Sequence, residues 1–288
     1  MEKLNFAFFG TPMLASQTLD ILAKNGYVPS IIITSPDKPS GRGLQIHESP
    51  VGIWAKEHNI KCLKPEKINT EFIDNLSSGL PRGSTPVDLY VVVAYGKILP
   101  EKLIQTPKLG TINLHYSLLP KYRGASPLES ALLNGDIVTG ISIQQMVFKL
   151  DCGPIIASKE IEININENKG ELKNKLITIG GNLLCEILPK IITRNISPKE
   201  QDESMATYCT KINKEDGEIN IGGNSKENYN KYRAFYGWPG TYFFTTKHNK
   251  KIRVKIKEAV FEDSLFILKR VTPEGKKEIN YTDFLRQF

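Results

Sequence analysis

At 288 residues the chain is long enough for one large domain or two, and its 40% hydrophobic and 24% charged residues exclude a disordered or membrane-spanning composition. Its net charge of +7 points weakly to an anionic partner, and location says more than size: residues 206–288 hold 16 Lys and Arg against 10 Asp and Glu, which is +6 of the +7. Cys62, Cys152, Cys185 and Cys209 are widely spaced without a Cys-x-x-Cys pair, which argues against a zinc site or a disulfide framework.

The first residues lead straight into a strand-like run without a signal peptide's apolar core. Apolar stretches such as 89–95 are far too short to span a membrane. The expectation is a cytoplasmic protein with reduced thiols.

Leu4 to Phe9 reads as a buried strand ended by Gly10-Thr11-Pro12, and Leu14, Thr18, Leu19 and Leu22 follow at helical spacing. Val28–Thr34 and Val87–Ala94 read as two further strands. Strands alternating with helical segments predict an α/β domain of Rossmann-like type with a mostly parallel sheet. Gly-x-Gly-x-x-Gly is absent after the first strand, so a dinucleotide is not expected. After the second strand, residues 35–43 are apolar-free and rich in Pro and Gly, with two cations, Lys38 and Arg42. That composition predicts a loop, neither helix nor strand.

Gly110-Thr111-Ile112 reads as a short strand leading into Asn113-x-His115, then Ser117-Leu118-Leu119-Pro120, Arg123-Gly124 and, later, Asp151-x-Gly153. Residues two apart on a strand share a face, so a neutral amide donor and an imidazole occupy one patch. In parallel α/β sheets ligands collect at the carboxyl ends of strands, where this patch falls. If Asp151 reaches it, the trio suits acyl or formyl transfer: Asn113 donates to a developing oxyanion, while His115 and Asp151 carry and balance a proton. The sequence does not divide the proton work between them. Asn-x-His alone is more often a satisfied strand histidine, and Asp151 alone a turn residue. Arg123 holds either a loop or an acidic group.

Residues 170–192 form one amphipathic helical pattern, and 193–204 lose all periodicity. The expected division is 1–192 as catalytic domain, 193–207 as linker and 208–288 as a small C-terminal β-barrel of OB-like type. Within the last segment Lys251, Arg253, Lys255 and Lys257 alternate with Ile252, Val254 and Ile256. On a strand this gives an apolar face and a cationic face. The cationic face is either merely solvated or a ridge that tracks phosphates, and Lys247 and Lys250 extend it toward the second reading.

The ordered set from Asn113 to Gly153 resembles the formyltransferases that use 10-formyltetrahydrofolate, over nearly the whole chain to about Lys257. The resemblance implies a formyltransferase fold and 10-formyltetrahydrofolate as co-substrate, without a metal. It also implies that Val92, Ala94, Tyr95, Gly96 and Ser117, Leu118, Leu119, Pro120 wall the folate pocket. Tyr116 departs from the family pattern, where a small residue is usual, and alternation turns it away from His115. The catalytic run alone fits several acceptors, including a ribonucleotide amine or an amino sugar. The 35–43 string resembles the recognition insertion of the family's tRNA-acting members. That implies initiator methionyl-tRNA as partner, Lys38 and Arg42 as contacts to its acceptor end, translation initiation as the role, and a monomer.

Overall fold

The computed structural model describes residues 4–40, 45–77, 86–247 and 250–287. In chain order the first half contributes β1 (Phe6–Gly10), β2 (Ile31–Ile33), β3 (Lys38–Ser40), β4 (Gln45–His47), β5 (Lys61–Leu63), β6 (Leu89–Val93) and β7 (Thr111–His115). Helices α1 (Met13–Lys24), α2 (Pro50–Glu57), α3 (Thr70–Ser77) and α4 (Glu101–Ile104) connect them. A two-residue β8 (Arg123–Gly124), then β9 (Val138–Gln145), β10 (Ile155–Glu162) and β11 (Tyr208–Cys209) follow.

Seven strands form one sheet in the order β10-β9-β7-β6-β1-β2-β5. From β5 to β7 the pairings are parallel, and β9 joins β7 antiparallel. A parallel sheet covered on both faces buries every residue of its central strands, so those strands must be continuously apolar. Phe-Ala-Phe-Phe-Gly in β1 and Leu-Tyr-Val-Val-Val in β6 meet that demand, and all ten residues are buried. On one face Phe9, Tyr90, Val92 and Tyr95 pack with Ile73, Leu76, Leu103 and Ile104 from α3 and α4. The α2 start is set locally: Ser49 Oγ accepts from the Gly52 amide at 2.9 Å and Pro50 opens the helix.

Packing divides the chain into two compact units. Residues 1–123, 140–160 and 175–208 form the first; 124–139, 161–174 and 209–288 form the second. Helix α5 (Pro127–Leu133) lies in the second unit, and α6 (Lys169–Ile192) has its first turns there and the rest in the first. Within the first unit, a Cβ on Gly180 would fall 2.9 Å from Ile141 and 3.0 Å from Leu114, and one on Gly181 would press on Ile21. Gly180 is what lets α6 lie this close to the sheet, and Gly181 lets it lie as close to α1.

The second unit adds α7 (Ser225–Ala234), β12 (Thr241–Lys247), β13 (Lys250–Glu262), β14 (Leu265–Pro273), β15 (Ile279–Asn280) and α8 (Tyr281–Gln287). Among the described residues its strands pair antiparallel in the order β12-β13-β14-β15, a small antiparallel β domain following the α/β one. Phe243, Val254, Ile256, Leu268, Val271 and Phe284 make its core. No described helix is long and apolar enough to cross a membrane.

Two expectations need correction. The basic segment after β2 is not irregular throughout: β3 and β4 pair antiparallel, Lys38 with His47 and Pro39 with Ile46. A two-stranded ribbon has only edge strands, where Pro is tolerated. The stretch read as a linker is also more than a tether. Residues up to 208 belong to the first unit, Lys199 exchanges both backbone hydrogen bonds with Ile155, and Glu203–Met205 make a 3₁₀ turn. Periodicity is blind to such a strap, because scattered hydrogen bonds rather than a repeating face hold it down.

Candidate active site

Alternation along β7 sets the layout. Leu114 and Tyr116 leave on the face packed by α1 and α6. Tyr116 is buried, its hydroxyl lies 3.4 Å from Thr18 Oγ1, and burial raises its pKa. Its bulk therefore bears on packing, as alternation predicts. Asn113 and His115 leave on the opposite face, where register sets Val92 and Gln144 on either side of Asn113 and Ser142 beside His115.

Asp151 comes to this patch from the turn after β9. Its Oδ1 accepts from Gln144 Nε2 at 2.8 Å and from Asn113 Nδ2 at 3.5 Å. Its Oδ2 lies 3.7 Å from His115 Nδ1. The other ring nitrogen, Nε2, is 2.9 Å from the Tyr122 carbonyl. A carbonyl only accepts, so Nε2 carries a hydrogen in either charge state, and Nδ1 is the nitrogen that gains or loses the proton. It faces the carboxylate. All three side chains expected to act together thus converge.

The turn itself explains the Asp-x-Gly spacing. Asp151 is left-handed at φ 49°, a region Asp tolerates better than most residues. At Gly153 the backbone approaches the Gln145 carbonyl so closely that any Cβ would collide with it. Glycine is required there by contact, with Asp151 two residues upstream.

The expected folate wall begins where β6 ends. Val92 and Tyr95 are buried, and Ala94 and Gly96 have positive φ values of 48° and 78° that turn the chain out of the sheet. The Tyr95 hydroxyl is buried without a hydrogen-bond partner, and burial pushes its pKa up to about 12. A Cβ on Gly96 would meet nothing within 4 Å. Ser117 and Leu119 are buried, with Leu118 and Pro120 partly so. Ser142 Oγ ties this segment down, donating to the Ser117 carbonyl at 2.8 Å and accepting from the Leu119 amide at 2.9 Å.

Arg123 resolves in favour of both open readings. It is fully buried, donates to Glu203 at 2.8 Å and 3.1 Å, and holds a loop through Gln201. The hydrogen bonds to Glu203 raise the guanidinium pKa and hold the Glu203 carboxyl below its usual range. Gln144 and Gln201 are site residues the sequence reading missed. The register that opposes Gln144 to Asn113 leaves no mark in the sequence, and Gln201 sits in the aperiodic strap.

The cations expected to meet an acceptor are more scattered. Lys38 is exposed on β3, and its charge helps depress Lys97, whose pKa is lowered chiefly by burial. Arg42 lies outside the described residues. In the second unit, the Lys251 ammonium is 4.0 Å from the centre of the Phe244 ring and the Arg253 guanidinium 4.1 Å from that of Tyr242. Lys255 and Lys257 are exposed, while Val254 and Ile256, which alternate with them, are buried. Among the described residues, no group of three His, Cys, Asp or Glu is arranged to hold a metal ion.

This geometry agrees with what the chain is similar to. The family model described as Formyl transferase matches residues 3–188, and the one described as Formyl transferase, C-terminal domain, matches 211–266. By class, then, the chain is a formyl transferase. A methionyl-tRNA formyltransferase of Thermotoga maritima is 42% identical over 242 residues, covering 84% of this chain and 75% of that protein. The one from Thermodesulfovibrio yellowstonii is 36% identical over 296 residues, 96% of this chain and 94% of that protein. The chain belongs to the methionyl-tRNA formyltransferase family. Among solved structures, a methionyl-tRNA formyltransferase from Clostridium thermocellum superposes with a TM-score of 0.59 at 16% identity, covering 96% of this chain and 99% of that one. An N-formyltransferase from Helicobacter canadensis, in complex with folinic acid and dTDP-3-aminofucose, gives 0.62 at 19%, covering 90% and 89%. At such identities these two speak for the fold alone.

Proposed function

We infer that the chain transfers a formyl group to the α-amino group of methionine carried on initiator tRNA, the reaction named by its relatives. The observation that carries this reading is the convergence of Asn113, His115 and Gln144 on the single carboxylate of Asp151.

10-Formyltetrahydrofolate supplies the carbonyl and, at N10, the leaving nitrogen. The residues present suit such a donor. Val92 and Leu119 offer apolar surface to a flat heterocycle, Gly96 leaves room, and the Tyr95 hydroxyl is a polar atom still unpaired. Asn113 has one N–H directed at Asp151 and a second to donate to the formyl oxygen as negative charge grows there. His115 turns Nδ1 toward Asp151, the position from which the imidazole can help carry a proton. The Asp151 carboxylate, oriented by the Gln144 and Asn113 amides, takes the proton shed by the attacking amine. The proton taken up by Asp151 is passed on to the leaving N10 nitrogen as its bond to the formyl carbon breaks, which leaves the carboxylate ionised again. The products are formyl-methionyl-tRNA and tetrahydrofolate, and no metal is needed because a neutral amine is already nucleophilic.

We assign acceptor recognition to Lys38 and Arg42 near the acceptor end, and to Lys251, Arg253, Lys255 and Lys257 in the segment 208–288. The test is formylation of charged initiator and elongator tRNA and of a nucleotide-linked amino sugar. Turnover of initiator methionyl-tRNA, with little of the elongator and none of the sugar, is expected. Preference for the sugar would overturn the reading.

A further inference from the structure

We infer that Gln201 is a positioning residue for catalysis: with Arg123 behind it, the Gln201 amide holds the turn that presents Asp151. The inference rests on the catalytic reading of Asp151 and adds a residue that no motif in the sequence marks.

The Gln201 side chain has two N–H donors and an oxygen with two lone pairs, and the structure uses all four. Nε2 donates to the Asp151 carbonyl at 2.8 Å and to the Gly153 carbonyl at 2.7 Å. Oε1 accepts from Arg123 Nη2 at 2.8 Å and from Arg123 Nε at 3.1 Å. The guanidinium can only donate, so it forces the oxygen toward itself and the amine toward the turn. The amide orientation is thereby fixed by chemistry. Arg123 is in turn held by Glu203 and by the Tyr208 hydroxyl at 3.3 Å.

What is held needs holding. Asp151 occupies left-handed backbone, a conformation sustained when its surroundings over-determine it. Gly153 packs against the Gln145 carbonyl on one side of the turn, and Gln201 clamps the two carbonyls on another. The same strap also reaches the histidine. Tyr122, left-handed at φ 59°, offers the carbonyl that accepts from His115 Nε2. The Tyr122 amide donates to Thr207 Oγ1 at 2.8 Å, and the Arg123 amide to the Thr207 carbonyl at 2.8 Å. Residues 201–207 therefore hold both members of the His115–Asp151 pair through backbone atoms of Asp151, Gly153 and Tyr122. Reacting groups misplaced by an ångström lose rate steeply, while binding surfaces elsewhere are undisturbed.

The test compares Gln201→Leu and Gln201→Glu with wild type, with Asp151→Asn, and with the double variants. Gln201→Glu keeps an acceptor for Arg123 while removing both N–H groups aimed at the turn, so it separates positioning from folding should Gln201→Leu not fold. Both single variants are expected to lower kcat by about 10- to 100-fold, with KM for the formyl donor and for tRNA within about twofold. On an Asp151→Asn background the same change is expected to have little further effect, because the clamp has no other task in catalysis. Wild-type kcat in folded Gln201→Glu would overturn the inference, and so would a full additive loss in the double variant. An Asp151→Asn enzyme with wild-type kcat would instead sink the catalytic reading beneath it.

Discussion

Val92 on β6 and Asn113 on β7 are register partners in a parallel ladder, so their side chains leave the sheet on the same face. Gln144 continues that row on β9. An apolar wall, an oxyanion donor and the amide that orients Asp151 are thus set side by side by strand pairing alone. Only the carboxylate has to be delivered by a turn. Variants within the row are therefore expected to affect chemistry, and variants in the turn to affect chemistry and stability together.

Asn113→Ala tests the row. Among the described residues its side-chain amide makes one long hydrogen bond, at 3.5 Å, so little stability depends on it. Loss of one oxyanion donor is expected to lower kcat about 10²–10³-fold. Single-turnover rates at saturating donor and tRNA measure this. Unchanged turnover would remove Asn113 from the mechanism.

Gly153→Ala tests the turn. An added methyl would overlap the Gln145 carbonyl, so the turn must shift, which is expected to cost about 1–3 kcal/mol of stability. Because Asp151 is two residues away, kcat is expected to fall as well. Thermal melts and initial rates on one preparation give both numbers. A variant that melts like wild type would contradict the close approach.

These two cases also show how far a sequence can be read. Continuous apolar runs made β1 and β6 legible, and the spacing of Asn113 and His115 declared a shared face. The arrival of Asp151 was legible only through the ordered motif, since a turn so far along the chain from Asn113 leaves no periodicity. Gln144 was invisible because strand register is a tertiary choice. Gln201 was hidden differently: it lies in a strap without a repeating face, which looks in sequence like a linker, so the partner of the legible Arg123 could not be named. The β3–β4 ribbon was missed because Pro and Gly signal turns, and an edge ribbon tolerates both.

The cationic face of β13 makes a prediction about salt. Replacing Lys251, Lys255 and Lys257 together by Gln leaves the buried Val254 and Ile256 in place, so the fold should survive. If these lysines neutralise tRNA phosphates, KM for tRNA rises while kcat at saturation holds. The slope of log affinity against log salt also becomes shallower, by up to about 0.7–0.9 for each phosphate that is no longer neutralised. Filter binding across a salt series is the measurement. An unchanged slope would assign the ridge to solvent alone.

Tyr95 gives the pH prediction. Burial raises its folded pKa from 10.0 to about 12, so the neutral phenol is favoured in the fold. Its contribution is fully present below the unfolded value near 10 and is lost as pH rises from there toward 12. Tyr95→Phe abolishes that titration and also removes a buried hydroxyl that has no partner. The variant is expected to be more stable at neutral pH by about 1 kcal/mol or somewhat more. Its stability should also decline less steeply above pH 10, although Tyr90 and Tyr116, raised by burial too, keep some of the slope. Urea unfolding at pH 7 and at alkaline pH reads both effects. If the hydroxyl serves the formyl donor, KM for that donor rises in the same variant, so kinetics and unfolding together separate a binding group from an orphan. A Tyr95→Phe protein less stable than wild type at neutral pH would mean that the phenol has a partner after all.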